Sequence, residues 1–247
     1  MKYISFPLMG FLLLADYTSA DSYKKYIPDS VKQYIPEFIN EEESMQDSFW
    51  SDNWDDEIPS SSVNSSLKDK VLYGPSSLSN VSYHNLTGNG PLKLTHVNVK
   101  HSLKVNGPLT GSKIQAAFME VNGPVKILNL DVEKAVVRGA ANLKEAHVKN
   151  GLTIYGFLSA QGSIFKKPIH AFSSEIRFKD SQVQAIILEK DKFFPDESPK
   201  IHLLGTTQVL GDIEFKGKKG TVEVGPNAKV DGKVINGILQ NADNKRE

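Results

Sequence analysis

The sequence predicts an all-β protein: a single-stranded β-solenoid with triangular coils of about 16–17 residues, preceded by an acidic, mostly disordered tail. Three observations carry this. Asn-Gly-Pro occurs at Asn89-Gly90-Pro91, Asn106-Gly107-Pro108 and Asn122-Gly123-Pro124. Corner glycines at Gly74, Gly90, Gly107, Gly123, Gly139 and Gly156 recur at intervals of 16 or 17 residues. After each corner, apolar residues fall in pairs spaced by two, the period of a strand with one buried face, and the gaps between pairs mark turns.

In chain order, residues 1–20 place Lys2 before an apolar run and end on small residues, which reads as a signal peptide cleaved after Ala20. The run is too short to span a bilayer comfortably and Asp16 interrupts it, so no transmembrane span is expected after cleavage. The expected location is secreted or periplasmic. The chain contains no cysteine, so neither a lipid attachment site nor a disulfide framework supports it, and stability must come from packing. Asn64, Asn80 and Asn85 open sequons that matter only in a glycosylating secretory route.

Residues 21–73 carry 5 Lys against 12 Asp plus Glu, so an acidic tail precedes a mildly basic body in a chain of zero formal net charge. Ser, Asp and Glu dominate this tail without helical or strand periodicity. Within it, Tyr26-Ile27-Pro28 and Tyr34-Ile35-Pro36 stand eight residues apart. They read either as a pair of docking motifs or as a strap lying on the folded body.

The solenoid is expected over residues 74–239. Gly74 is followed by Leu78, Val81, Tyr83 and Leu86; Gly90 by Leu92/Leu94, Val97/Val99 and Leu103/Val105. Gly107 is followed by Leu109/Gly111, Ile114/Ala116 and Met119/Val121, and Gly123 by Val125/Ile127, Leu130/Val132 and Ala135/Val137. Gly139 repeats the offsets with Ala141/Leu143, Ala146/Val148 and Leu152/Ile154. Each unit thus supplies three short strands with inward side chains, and stacking buries what one coil cannot. Asn tolerates left-handed backbone, Gly turns the corner and Pro restarts an extended strand. Stacked coils would set Asn89, Asn106 and Asn122 roughly 4.8 Å apart, as an amide ladder.

Past Phe165 the corner slips to Ser174, and Ile176/Phe178, Val183 and Ile186/Leu188 continue the pattern. The stretch near residues 190–200, with Phe193 and Phe194, fits no coil and reads as an excursion. Alternation resumes through Ile201/Leu203, Val209, Ile213/Phe215, Val222/Val224, Val230 and Val234, before a polar tail at residues 240–247. "GTVEVGPNAKVDGKV", residues 220–234, resembles the bactofilin or polymer-forming cytoskeletal family in its valine-rich coils. The likeness is clearest over residues 200–238 and is one of architecture alone over 74–190. It implies a β-helix that polymerises end to end without nucleotide and serves as an envelope scaffold. The familiar members work in the cytoplasm, whereas this chain carries an export signal; what transfers is fold and self-association.

No catalytic, metal or cofactor constellation emerges. Gly205, Gly211 and Gly217 fall six apart as in hexapeptide acyltransferases, but no catalytic His with a supporting acid accompanies them. The six histidines scatter over different offsets, and Asp131, Glu133, Lys134 and Arg138 occupy alternating outward or turn positions. No His-Glu-x-x-His, Cys cluster, P-loop or dinucleotide fingerprint is present. Lysines at 100, 104, 126, 144, 149, 166, 167, 216, 218 and 219 would form a basic lateral face for an anionic polysaccharide; without interleaved aromatics, nucleic acid is not expected.

The sequence therefore points to a non-enzymatic structural protein whose partner is itself, or other envelope components. An adhesive or ligand-binding solenoid is the second reading. A solenoid leaves unpaired edges at both ends, and the C-terminal coil with Val222, Val224, Val230 and Val234 is the expected contact. It would give C-terminus-to-C-terminus dimers if the tail caps the other end, and filaments if it does not.

Overall fold

The computed structural model describes residues 67–190 and 198–241. The proposed signal peptide, most of the acidic tail with its Tyr-Ile-Pro pair, Asn64, Phe193 and Phe194, and residues 242–247 lie outside them. Among the described residues every strand pairing is parallel and no helix occurs. The chain winds as a β-solenoid of about ten turns.

The glycine corner is built by direct backbone stacking. Gly90 N–H donates to Asn106 O at 2.9 Å, Gly107 N–H to Asn122 O at 3.0 Å and Gly123 N–H to Arg138 O at 2.9 Å. A Cβ on Gly123 would lie 2.5 Å from Gly107 O, and φ there is +155°, so the corner needs both the missing side chain and the positive φ. Gly139 and Gly156 extend the column to Phe172–Ser173 through Gly156 N–H donating to Phe172 O.

Three sides run between corners. In the N-terminal coils hydrogen bonding is continuous around all three, so single strands Leu92–Asn106, Leu109–Asn122 and Val125–Arg138 each wrap a whole coil. Beyond Ala141–Val148 the sides separate into short strands. Leu158–Gln161, Glu175–Lys179, Lys200–Leu204, Gly220–Val224 and Gly237–Asn241 stack on the first side. Ile164–Phe165, Gln182–Val183, Gln208–Val209 and Lys229–Val230 stack on the second. The third holds Leu152–Tyr155, Ile169–Phe172, Ile186–Leu188, Ile213–Phe215 and Val234–Ile235.

The folded body begins at Lys70–Tyr73, which pairs with Leu86–Asn89, and ends at Asn241, so it exceeds the expected 74–239 at both edges. The inward pairs read from the sequence form columns in register, for example Leu92–Leu109–Val125–Ala141 and Val105–Val121–Val137–Ile154. Their members are buried. The first coil is the exception: Leu78, Val81 and Tyr83 are only partly buried, since among the described residues they are stacked on one side alone. The switch between 16 and 17 residues is absorbed at one place, the corner between the second and third sides. There the register shifts at Lys100–His101, and an extra residue enters at Lys149–Asn150.

A second corner lies between the first and second sides. It is turned by Asn80, His96, Lys113, Asn129, Glu145 and Asp180, with φ between 50° and 62°, and by Gly162 and Gly205 at 58°. Left-handed backbone costs a non-glycine residue roughly 1–2 kcal/mol, so this column is held by the stacking around it. Directly after it, the inward column Val97–Ile114–Leu130–Ala146 changes to Ser163, Ser181 and Thr207. These hydroxyls are buried and satisfied. Ala146 N–H donates to Ser163 Oγ at 3.0 Å, Ser163 N–H to Ser181 Oγ at 3.1 Å and Ser181 N–H to Thr207 Oγ1 at 3.3 Å. Each hydroxyl in turn donates to a nearby carbonyl, at 3.0, 2.8 and 2.6 Å. The hydroxyl ladder supplies acceptors to backbone N–H groups where the continuous strand of the earlier coils is broken.

Candidate functional site

Beside the glycine corner runs an exposed ladder. Asn106 Nδ2 donates to Asn89 Oδ1 and Asn122 Nδ2 to Asn106 Oδ1, both at 2.8 Å, so each amide answers the next. Arg138 closes this run by donating to Asn122 Oδ1 at 3.1 Å and to Glu120 Oε1 at 2.7 Å. The Arg138 guanidinium lies 5.6 Å from the Tyr155 ring centre, and Tyr155 stacks on Phe172 at 4.5 Å. One column therefore passes from amides through a cation to aromatics. Only its asparagines carried a repeat signal; Arg138, Tyr155 and Phe172 did not.

The end rungs differ from the coils between them because, among the described residues, each has one stacked neighbour. At the N-terminal end Val71 is 50% and Tyr73 80% exposed; at the C-terminal end Ile235 is 43%, Ile238 38% and Leu239 50% exposed. This corrects the expected contact residues. Val222 and Val224 are buried, because Gly237–Asn241 forms one further strand over them, pairing Val222 with Leu239 and Val224 with Asn241. Val230 and Val234 do belong to the last rung and are half-buried.

The ten lysines do not all share one face, although Lys166 and Lys167 follow the second side at the same corner as Lys100 and Lys149. Lys126 stands on the first side, Lys104 on the third, and Lys100 and Lys149 at the corner between the second and third. Lys149 Nζ is bonded to Asp131 at 2.9 Å and Glu133 at 3.1 Å, and Lys216 Nζ to Glu189 at 3.0 Å. Asn80 occupies the left-handed corner, and Asn85 Nδ2 donates to Asp69 Oδ1 at 2.9 Å.

Two histidines bridge coils. His170 Nδ1 is 3.0 Å from Glu189 Oε1. His202 lies between Glu175 Oε1, 3.2 Å from Nε2, and Glu223 Oε2, 2.8 Å from Nδ1, with Arg177 Nε on Glu175 at 2.7 Å. Hydrogen bonding from His202, reinforced by Arg177 against the cost of burial, lowers the Glu175 carboxyl from its ordinary 4.5 to about 2. A depressed carboxylate adds stability that is complete above pH 4.5 and is lost as pH falls through 2. The melting temperature of the protein minus that of Glu175→Gln is expected to shrink as pH falls from about 4.5 through 2. A difference that stays flat down to pH 2 would show that the contact does not hold the coils together.

Among the described residues no group of three or more His, Cys, Asp or Glu is placed to hold a metal ion, and no helix is long and apolar enough to cross a membrane. No family model, curated protein or solved structure matches the chain.

Proposed function

We propose that the protein is an exported, non-enzymatic scaffold of the cell envelope that associates with copies of itself end to end. The observation that carries this reading is the C-terminal rung. Leu239 stands in the buried first-side column below Val222, yet it is half exposed, and among the described residues no further strand pairs over it. Apolar columns and strand edges that end together favour another rung of the same cross-section.

The two ends are unlike, so a copy stacked in the same direction continues the parallel pairing. Such a heterologous contact repeats as a filament rather than closing as a dimer. In that arrangement Val230 comes under the column that starts at Tyr83, and Leu239 under the one that starts at Ser76. The resemblance of residues 220–234 to the polymer-forming bactofilins is in keeping with this. The alternative, adhesion to an anionic polysaccharide, draws less support, because the lysines are divided among different sides and Lys149 and Lys216 are engaged by acids.

Concentration-dependent filaments are expected for the full chain in electron microscopy and sedimentation. Leu239→Asp should weaken association at least tenfold. Completing the burial of a leucine contributes about 1 kcal/mol, and a carboxylate in its place opposes association by several more. Leu128→Asp, on a lateral face where Leu128 is 44% exposed, should leave assembly unchanged. A full chain that stays monomeric at high concentration overturns the reading.

A further inference from the structure

At the corner between the second and third sides, successive coils present long polar side chains: Lys100 on one, Glu133 and Lys149 on later ones. The coil between Lys100 and Glu133 has Ala117 instead. This leaves a polar notch of about 310 Å³ with Ala116 and Ala117 at its floor. One wall is an in-register row on the second side, Asn98, Gln115 and Asp131.

The row behaves differently from the amide ladder at the glycine corner. There each asparagine satisfies the next. Here the amides of Asn98 and Gln115 and the ammonium of Lys100 have no partner among the described residues. Open donors and acceptors thus stand one coil apart, about 4.8 Å. The acids beside them, Asp131 in the same row and Glu133 at the corner, are fixed. Lys149 Nζ spans Asp131 and Glu133, and Asn150 Nδ2 donates to Glu133 Oε2 at 2.8 Å. Lys149 is held charged above its ordinary range by Asp131 first and Glu133 next. Two carboxylates with part of their lone pairs still free are therefore held in place as acceptors.

Lys100 and Lys149 balance Asp131 and Glu133, so the notch has no net charge. It contains no aromatic ring and little apolar wall. A charged ligand would gain no net attraction there, and an apolar one would strand the amides. A molecule carrying many hydroxyls, each able to donate to a carboxylate or amide oxygen and accept from an amide or ammonium, satisfies the groups present.

We propose that this notch is a binding site for an uncharged saccharide, with Asn98 and Gln115 reading its hydroxyls and the Lys149-pinned Asp131 and Glu133 accepting from them. The site lies on the lateral surface and does not depend on end-to-end association.

The test is titration of the full chain with cellotetraose, chitotetraose and maltotetraose, followed by calorimetry and saturation-transfer NMR, with tetragalacturonate as the charged comparison. At least one neutral oligosaccharide should bind. Ala117→Gln fills the notch at a corner that carries long side chains in neighbouring coils, and should weaken binding at least tenfold with an unchanged melting temperature. Asn98→Ala and Gln115→Ala should each weaken it about fivefold. Leu239→Asp should leave it intact, which separates this site from the assembly contact. Binding of tetragalacturonate alone, binding indifferent to Ala117→Gln, or no binding of any neutral oligosaccharide overturns the proposal.

Discussion

Val121→Asp and Val137→Asp are each expected to leave the solenoid unfolded or nearly so. Both valines are fully buried and follow one another in a single column between Val105 and Ile154, so an acid at either position faces apolar side chains from the coils above and below. A buried carboxylate without a partner costs roughly 3 kcal/mol or more, against a total stability of about 5–15 kcal/mol for a domain. The neighbouring Glu120 points outward and meets Arg138 at 2.7 Å, with Lys104 in register one coil away. Glu120→Lys therefore loses an exposed ion pair, an effect of about 0–1 kcal/mol. Chemical denaturation distinguishes the cases, and similar midpoints for all three variants would refute the inward placement of the valines.

Gly123→Ala is expected to have the second largest effect, in the absence of any change of charge. The added Cβ meets the Gly107 carbonyl oxygen at 2.5 Å, a backbone atom that cannot rotate away, and φ is +155°. Strain and overpacking together should cost about 2–4 kcal/mol. Gly74→Ala is the matched comparison, since its Cβ meets nothing within 4 Å while φ is +75°. Only the cost of the left-handed conformation remains there, about 1 kcal/mol. Thermal unfolding of the two variants should therefore differ clearly. Equal losses would mean that close approach between glycines does not set the coil spacing.

The inward columns were legible because one face of each strand is buried from two directions, which forces apolar residues into a period of two. The glycine corner was legible for a related reason: stacked backbone leaves no room for any Cβ, so one residue type recurs. The left-handed corner met neither condition. Asn80, His96, Lys113, Asn129 and Glu145 turn it with their side chains on the exterior, and no common chemistry marks the position. Ser163, Ser181 and Thr207 were illegible because isolated hydroxyls read as surface; only stacking shows that each accepts a neighbouring coil's N–H. At the C-terminal end the expected boundary at residue 239 fell two residues short, and the valine-rich motif placed the expected contact at Val222 and Val224, one rung too early. Gly237–Asn241 has only Ile238 and Leu239 as apolar residues, adjacent rather than alternating, so no period announced a strand. The notch at Ala117 was invisible for the opposite reason: it is defined by what neighbouring coils carry and this one omits.

The corner that absorbs the sixteen-or-seventeen switch, at Lys100–His101 and again at Lys149–Asn150, has a consequence for how such a chain can change over generations. A single codon gained or lost within a strand would turn the inward side chains that follow it to the outside. At this corner the extra residue bulges outward and the next strand resumes its register. Insertions can therefore accumulate at corners while the strands between them keep their register, and residues 189–199, between Ile186–Leu188 on the third side and Lys200–Leu204 on the first, are a longer insertion at the glycine corner. Corner length, rather than strand length, is what such a chain can change without turning its core outward.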